Sequence, residues 1–188
     1  SSCNTKEIKK DYLLYSKNIL DYQITPTKKF DKSGLMFSDQ GAWFAYSIPD
    51  STSITGFTGH FLMTQQNGVW SSSSLVNLSI ENNQWKSHST TSYNSHLEQL
   101  YSSENLELKQ DLVFLSGHTA IINSTIKNIS NKPYTFTYQF KNKQLLADGL
   151  KLSATNNQLI INSSKTDAVG HLIFPREIVL ETTDSTYV

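Results

Sequence analysis

The chain has 188 residues, which fits one domain and is ample for a hydrophobic core. Hydrophobic residues make up 37% of the sequence, with 9 Phe, 9 Tyr and 3 Trp, and this content argues against a disordered segment. Lys plus Arg and Asp plus Glu both total 16, so the net charge is zero and the basic surface that nucleic-acid binding requires is not expected.

The N-terminus carries the only cysteine of the chain, Cys3. One cysteine provides neither a disulfide framework nor a thiolate metal site. Ser1-Ser2-Cys3-Asn4 resembles the end of a lipobox, the signal-peptide sequence before a lipidated cysteine. Two interpretations stay open: a lipidated Cys3, which would attach the protein to a membrane without a spanning helix, and an ordinary cysteine near a terminus.

One helix is predicted, over residues 6–20, because apolar side chains recur there at the spacing of a helical face: Ile8, Tyr12, Tyr15 and Ile19. Pro26 ends this pattern. We therefore expect residues 1–25 to form an arm or tether. Residues 26–188 are expected to form a single β-sandwich domain, since no linker divides them.

Beyond the arm, apolar and polar residues alternate with a period of two, which is typical of strands with one buried face. The clearest cases are residues 106–114 and 134–140, and residues 120–127 form a longer strand. In the second case the alternation predicts that Tyr134, Phe136, Tyr138 and Phe140 fill a core. Further strands are predicted at residues 75–80, 85–91, 96–102, 150–154, 159–162, 171–174 and 178–181.

Two asparagine pairs between these strands predict hairpins, because asparagine tolerates the positive φ of tight turns. They are Asn82-Asn83 and Asn156-Asn157. About ten short strands separated by turns favour a sandwich. The predicted fold is all-β, a two-sheet antiparallel β-sandwich or super-β-sandwich with a short N-terminal helix or arm.

The sequence contains no recognisable catalytic or metal motif. Its 5 histidines are scattered, and none has the H-E-x-x-H or H-x-H spacing that brings two imidazoles to one ion. There is no G-x-S-x-G nucleophile turn, and in Ser116-Gly117-His118 the neighbouring side chains should point apart. Glu104, Glu107 and Asp111 are interpreted as a solvated face. We therefore expect no catalytic residue, metal or cofactor in this chain.

The surroundings of Trp43 do not alternate cleanly. Small residues flank it, so a partner's backbone can approach closely while the indole supplies contact area. In an extended segment Trp43 and Phe44 cannot both face one core. We expect one of them to reach the edge of the domain, and a tryptophan that fills the sandwich is the alternative.

Three short stretches in this part of the chain resemble a known family. Asp39-Gln40-Gly41-Ala42-Trp43 is followed by Ile48-Pro49-Asp50 and then by Gly56-Phe57-Thr58-Gly59. The order D-x-G-A-W, P-D, G-F-x-G is similar to the start of bacterial members of glycoside hydrolase family 63. The strands within residues 96–140 resemble the sandwich of the same enzymes, and the resemblance extends from about residue 15 to the C-terminus.

The resemblance implies an N-terminal β-sandwich of an inverting α-glycosidase whose two catalytic carboxylates lie in a separate (α/α)6 barrel. No part of the chain resembles that barrel, so a non-catalytic fragment, lacking the sandwich's last strands, is expected. The expected partners are the catalytic barrel of the same polypeptide and, for the parent enzyme, an oligosaccharide with α-linked glucose. The expected docking or sugar-proximal residues are Asp39, Trp43, Phe44, Asp50 and Phe57.

The resemblance also favours the lipidated form of Cys3, and thus a periplasmic or cell-surface lipoprotein of a Gram-negative bacterium. Two other functions stay open. A free-standing carbohydrate-binding module would need aromatic side chains on a solvent-exposed face, and a surface adhesion domain would need no sugar affinity. An enzyme complete within these residues is the least favoured interpretation.

Overall fold

The computed structural model describes residues 17–50, 55–63, 67–165, 169–174 and 178–188. Strands and irregular segments make up this part of the chain, and no helix in it is long and apolar enough to cross a membrane. The strands are β1 (Phe44–Ser47), β2 (Thr58–Met63), β3 (Gly68–Trp70), β4 (Asn77–Ile80), β5 (Lys86–Ser92), β6 (His96–Ser102), β7 (Leu106–Ser116), β8 (Thr119–Asn128), β9 (Tyr138–Lys141), β10 (Leu150–Thr155), β11 (Gln158–Ser163) and β12 (Val169–Ile173).

The strands form four antiparallel sheets, which confirms the all-β prediction. The largest sheet has the order β5-β6-β7-β8; β1-β2-β3 and β10-β11-β12 form three-stranded sheets, and β4 pairs with β9 alone among the described strands. The predicted pair of sheets is therefore divided into smaller hydrogen-bonded units, because short strands such as β1 and β4 pair over only four residues.

The large sheet forms one layer, and two smaller sheets cover its inner face. One buried cluster joins Tyr46 of β1 to Leu97 of β6 and to Leu112 and Phe114 of β7. A second cluster joins Leu78 of β4 to strands of the large sheet, with Tyr101 and Leu108 at its centre. Side chains of β6 and β7 alternate between buried and more exposed positions, as the sequence predicts.

The sheet of β10–β12 packs beside β9 through a third cluster that contains Leu152, Leu159, Ile161, Phe174 and Tyr187. Its link to β9 is Phe140, whose ring centroid lies 5.4 Å from that of Phe174. The hairpin between β10 and β11 turns at Asn156, which has φ 48°, so the prediction of a hairpin there is confirmed.

The hairpin predicted at Asn82-Asn83 is wrong, although Asn82 has the expected positive φ of 57°. Strand β4 pairs with β9, and β5 pairs with β6, so this turn connects two different sheets. A tight turn fixes the local chain reversal but not the choice of hydrogen-bonding partner, which depends on residues far along the chain.

Two predictions about strands are also wrong. Residues 134–137 are not in a strand, because β4 ends at Ile80, opposite Tyr138. Tyr134 and Tyr138 remain 36% and 47% exposed instead of filling a core, although Tyr138 belongs to β9. Residues 178–181 form no strand either; within the part of the chain that the structure describes, the backbone of this segment is paired only through Glu181, with Val188.

The predicted helix over residues 6–20 lies mostly outside the described residues, and residues 17–20 form a turn and a bend. The rest of the predicted arm lies against the sandwich. The backbone N–H of Asn18 donates to the Ser92 carbonyl at 2.6 Å, and the N–H of Ile24 donates to the Ile48 carbonyl at 3.0 Å. Ile24 is buried with Ala45, Phe61 and Trp70 on the second face of the β1–β3 sheet.

Candidate docking surface

The Asp39–Gly41 part of the D-x-G-A-W stretch forms a tight turn that ends before Trp43. The N–H of Ala42 donates to the Asp39 carbonyl at 3.0 Å, and Gln40 and Gly41 between them have φ of 54° and 69°. Positive φ at both central positions is the pattern of a type I′ turn. The Asp39 carboxylate accepts from the Gln40 N–H at 2.7 Å, so this side chain stabilises the turn and is half-buried.

Trp43 follows this turn and is 59% exposed. Its carbonyl accepts a hydrogen bond from the N–H of Met63 at 2.9 Å, which fixes the backbone of Trp43 to the end of β2. The next residue, Phe44, points to the opposite side and packs against Phe114, with ring centroids 5.1 Å apart. The structure thus places the indole at the surface and the phenyl ring against the core.

Asp50 and Phe57, the other two predicted docking residues, differ from Trp43 in their surroundings. Asp50 is exposed, and its N–H donates to the Thr25 hydroxyl at 3.1 Å. Phe57 is only 1% exposed and fills the core beside Leu97 and Leu112. Phe57 and Phe44 therefore stabilise the interior, and among the five residues Trp43 offers the large apolar area at the surface.

The G-F-x-G stretch enters the core as a loop and is held there by glutamines of the large sheet. The N–H of Gly56 donates to Gln110 Oε1 at 2.7 Å, and Gln99 Nε2 donates to the Gly56 carbonyl at 2.7 Å. Gln110 also donates to the Ser124 hydroxyl at 3.0 Å, and the Tyr101 hydroxyl donates to Gln99 Oε1. A buried network of this kind satisfies the polar groups of the loop that reaches the interior.

Gly56 is required in this loop for two reasons. Its φ is 82°, and a Cβ atom there would lie 1.7 Å from the carbonyl oxygen of Val76. The first and third of the three stretches that carry the family resemblance thus build a turn and a buried loop. Their residues position the backbone, and Trp43 is the large apolar side chain that they leave at the surface.

One buried histidine lies beside a serine. Ser71 donates its hydroxyl to the His60 carbonyl at 2.8 Å and lies 3.3 Å from His60 Nδ1. Burial lowers the pKa of His60 to about 4, so its ring is neutral near pH 7. Both side chains are buried, so a substrate cannot reach them, and we interpret the pair as part of the packing beneath β2.

A group of possible metal ligands lies on the outer face of the large sheet. His96, Glu98 and Asp111 each offer a ligand atom within 4.8 Å of the others. However, Lys109 Nζ lies 3.0 Å from Glu98 Oε2 and 3.3 Å from Asp111 Oδ1. The hydrogen bond that Lys109 donates to Glu98 raises the pKa of Lys109, and its ammonium group pairs with the two carboxylates that would bind a metal ion. A search for paired histidines alone overlooks this H-x-E cluster.

The comparison with known families identifies the family of the chain. The profile of the family described as "Glucosidase YgjK, N-terminal" matches residues 16–163, which is more than half of the chain. The chain belongs to this family. The resemblance to the N-terminal β-sandwich of glycoside hydrolase family 63 is therefore confirmed. No curated protein matches the chain.

Membership in the YgjK N-terminal family also bears on the arm. The match begins at residue 16, next to the first residues that the structure describes, and it includes the segment of Asn18 and Ile24 that lies against the sandwich. Cys3 lies outside the match and outside the described residues. The family therefore accounts for the sandwich and for its N-terminal contact, and the lipidation of Cys3 stays a prediction.

Proposed function

We propose that this chain supports the catalytic barrel of a family 63 α-glucosidase within one polypeptide, and that the barrel docks on the surface around Trp43. Family membership supports the assignment to the N-terminal domain of a glucosidase. The observation that carries the docking role is the exposed indole on a fixed backbone, held by the Asp39–Ala42 turn and by the hydrogen bond from Met63. Rigid aromatic anchors of this kind contribute most to protein interfaces.

The docking role is tested by Trp43→Ala in the native enzyme and in this chain. Because the indole is exposed, the substitution should change the unfolding free energy of the chain by less than about 1 kcal/mol. In the native enzyme it should lower the melting temperature or the α-glucosidase activity. Ile173→Ala is a matched control, since Ile173 is 68% exposed and lies on β12, in a different sheet from β1. A large loss of stability in the chain itself, or equal effects of both substitutions, would contradict docking at Trp43.

The non-catalytic role is tested separately by activity. We expect this chain to release no product from aryl α-glucosides or α-linked disaccharides, because the resemblance assigns both carboxylates to the barrel. Turnover above a purified blank that disappears on substitution of one carboxylate within these residues would overturn the role.

The proposed parent is a periplasmic or cell-surface lipoprotein of a Gram-negative bacterium. Two features of the sequence support this location: the lipobox-like residues around Cys3, and their position ahead of the family match, where a tether would not disturb the sandwich.

One observation favours a second function, carbohydrate binding. The rings of Tyr134, Phe136 and Tyr138 form a partly exposed row, with centroids 6.2 Å and 6.5 Å apart. Neighbouring rings are tilted by 34° and 56°, however, so they present no flat platform to the faces of consecutive sugar rings. Binding of maltooligosaccharides to this chain, lost in Tyr138→Ala, would favour this function over docking.

A further inference from the structure

Asn67 and Gly68 form the only Asn-Gly pair of the sequence. They lie where β3 begins: Asn67 is exposed, and Gly68 is the first residue of the strand and is buried. An asparagine followed by glycine is prone to lose ammonia, because a residue without a side chain lets its backbone nitrogen approach the carboxamide carbon Cγ of the asparagine. The pair is therefore a candidate site of chemical self-modification.

The side chain of Asn67 is folded back onto the amide of the next residue. The Gly68 N–H donates to Asn67 Oδ1 at 2.9 Å, so the nitrogen that would attack lies beside the carboxamide that it would attack. A rotation of the carboxamide turns Cγ toward this nitrogen. A ground state so close to the reacting geometry lowers the barrier, because little further ordering is needed.

Lys32 contacts the same oxygen from a distant part of the chain. Its Nζ donates to Asn67 Oδ1 at 3.2 Å. The segment of Lys32 is fixed against β3, because the Trp70 indole N–H donates to the Asp31 carbonyl at 2.8 Å and the Trp70 backbone N–H donates to the Lys29 carbonyl at 2.9 Å. Negative charge develops on Oδ1 during attack at Cγ, and an ammonium donor already aimed at this oxygen stabilises that transition state.

Packing explains why glycine stands at position 68. A Cβ atom there would meet the ring of Phe61, which packs edge-on against Trp70 with ring centroids 5.1 Å apart. Gly68 also pairs with Met63 in the β2–β3 ladder. A larger residue would shield Asn67 from attack, but it does not fit without moving a buried ring.

We propose that Asn67 is a self-modification site, which converts to aspartate and isoaspartate with electrostatic assistance from Lys32. The Gly68 nitrogen gives its proton to water and bonds to Asn67 Cγ; the Cγ–Nδ2 bond breaks, and ammonia leaves with a proton from solvent. The resulting succinimide takes up one water molecule, which opens either of its two carbonyl groups. The sum is the exchange of an amide for a carboxylate, with water consumed, ammonia released and no change of oxidation state.

The two products differ in their effect on the fold. Aspartate keeps the course of the backbone and places a carboxylate beside Lys32, where opposite charges attract. Isoaspartate carries the main chain through the former side chain and lengthens it just before β3, so it disturbs the pairing of Gly68 with Met63. The Met63 N–H also donates to the Trp43 carbonyl at 2.9 Å, so the disturbance reaches Trp43. Only the importance of this last contact for docking rests on the proposed function.

Peptide mass mapping of the native protein during storage in mildly alkaline buffer tests the site. Asn67 should convert at least about ten-fold faster than Asn94, which is exposed in the turn between β5 and β6 and is followed by the small residue Ser95. Lys32→Met keeps the length of the side chain and removes its charge. It should slow conversion at Asn67 by about three-fold or more and leave Asn94 unchanged.

Conversion at Asn67 that is no faster than at Asn94 would overturn the proposal, and an unchanged rate in Lys32→Met would overturn the part of Lys32 in it. Asn67→Asp separates the two products, because it carries the aspartate form from the start. Its melting temperature should stay at the wild-type value, whereas stored wild-type protein that contains isoaspartate should melt lower. Equal melting of the two would contradict the disturbance of β3. Mass and melting are measured without reference to docking, so failure of this inference leaves the proposed function unaffected.

Discussion

Gln110 and Gly56 are 54 residues apart in the chain, and the side-chain oxygen of Gln110 accepts the Gly56 N–H at 2.7 Å inside the core. Gln99 completes the contact from the neighbouring strand by donating to the Gly56 carbonyl. Both glutamines are buried on the inner face of the large sheet. They connect that layer to Gly56 just before β2, so the family's G-F-x-G stretch depends on two residues of strands β6 and β7.

Replacing Gln110 by leucine should destabilise the chain. The leucine has a similar size but leaves the Gly56 N–H buried without its acceptor, which costs about 1–3 kcal/mol. Urea unfolding of the variant measures this loss. Gln144→Leu is the matched control, because Gln144 is exposed. Gln144→Leu should change the unfolding free energy by less than about 0.5 kcal/mol. Equal effects at Gln110 and Gln144 would show that the buried contact contributes nothing.

Two glycines with positive φ should respond very differently to alanine. At Gly41, φ is 69° and no atom lies within 4 Å of a new Cβ, so Gly41→Ala should cost only the left-handed backbone strain of about 1–2 kcal/mol. At Gly56 the same strain is added to a clash with the Val76 carbonyl, and that backbone cannot move without disturbing β4. We expect Gly56→Ala to be several-fold more destabilising in thermal unfolding. Similar losses at both glycines would contradict the close approach to Val76.

The glutamines show what the sequence could reveal about this site. In β7, Leu106, Leu108, Leu112 and Phe114 share the buried face, and Gln110 stands in the same phase of the alternation. A polar residue at an apolar position of a strand is a signal of a buried hydrogen bond. The pattern therefore predicts that the side chain of Gln110 is buried and hydrogen-bonded. It cannot identify Gly56 as the partner, because the contact joins two different layers of the sandwich.

Strand positions were predictable where the alternation is long, as in β6 and β7, since a period of two is a property of neighbouring residues. The sheet to which a strand belongs could not be predicted: the turn at Asn82 joins β4 and β5, which lie in different sheets. The exposure of Trp43 follows from its adjacency to Phe44 only after the structure shows which ring the core accepts.

Cys3 provides a prediction that does not depend on the fold. In the native host we expect Cys3 to be the first residue of the mature protein and to carry lipid, so the protein should partition with membranes. Intact-mass spectrometry of the native protein measures both the terminus and the added acyl mass. Cys3→Ser should abolish the modification and release the protein in soluble form. An unmodified cysteine, or a mature terminus elsewhere, would remove the membrane anchor from the proposed parent.

The buried imidazole of His60 should make the stability of the domain depend on pH. Burial lowers its pKa to about 4 in the folded state, against about 6.5 in the unfolded chain. Between these two values the unfolded state binds more protons, so stability is fully present above about pH 6.5 and falls as the pH approaches 4. A shift of this size corresponds to roughly 3 kcal/mol at the acid end of the window.

His60→Asn removes the titrating ring and keeps a polar side chain near Ser71. Its unfolding free energy should be lower than that of the wild-type chain at pH 7, because the packing of the ring against Tyr46 is lost. It should, however, change much less between about pH 6.5 and pH 4.5 than the wild type does. His118→Asn is the matched control, since His118 is exposed in the turn between β7 and β8. Urea titrations across this range decide the matter: an unchanged pH slope in His60→Asn would show that another group, and not the buried histidine, takes up the proton.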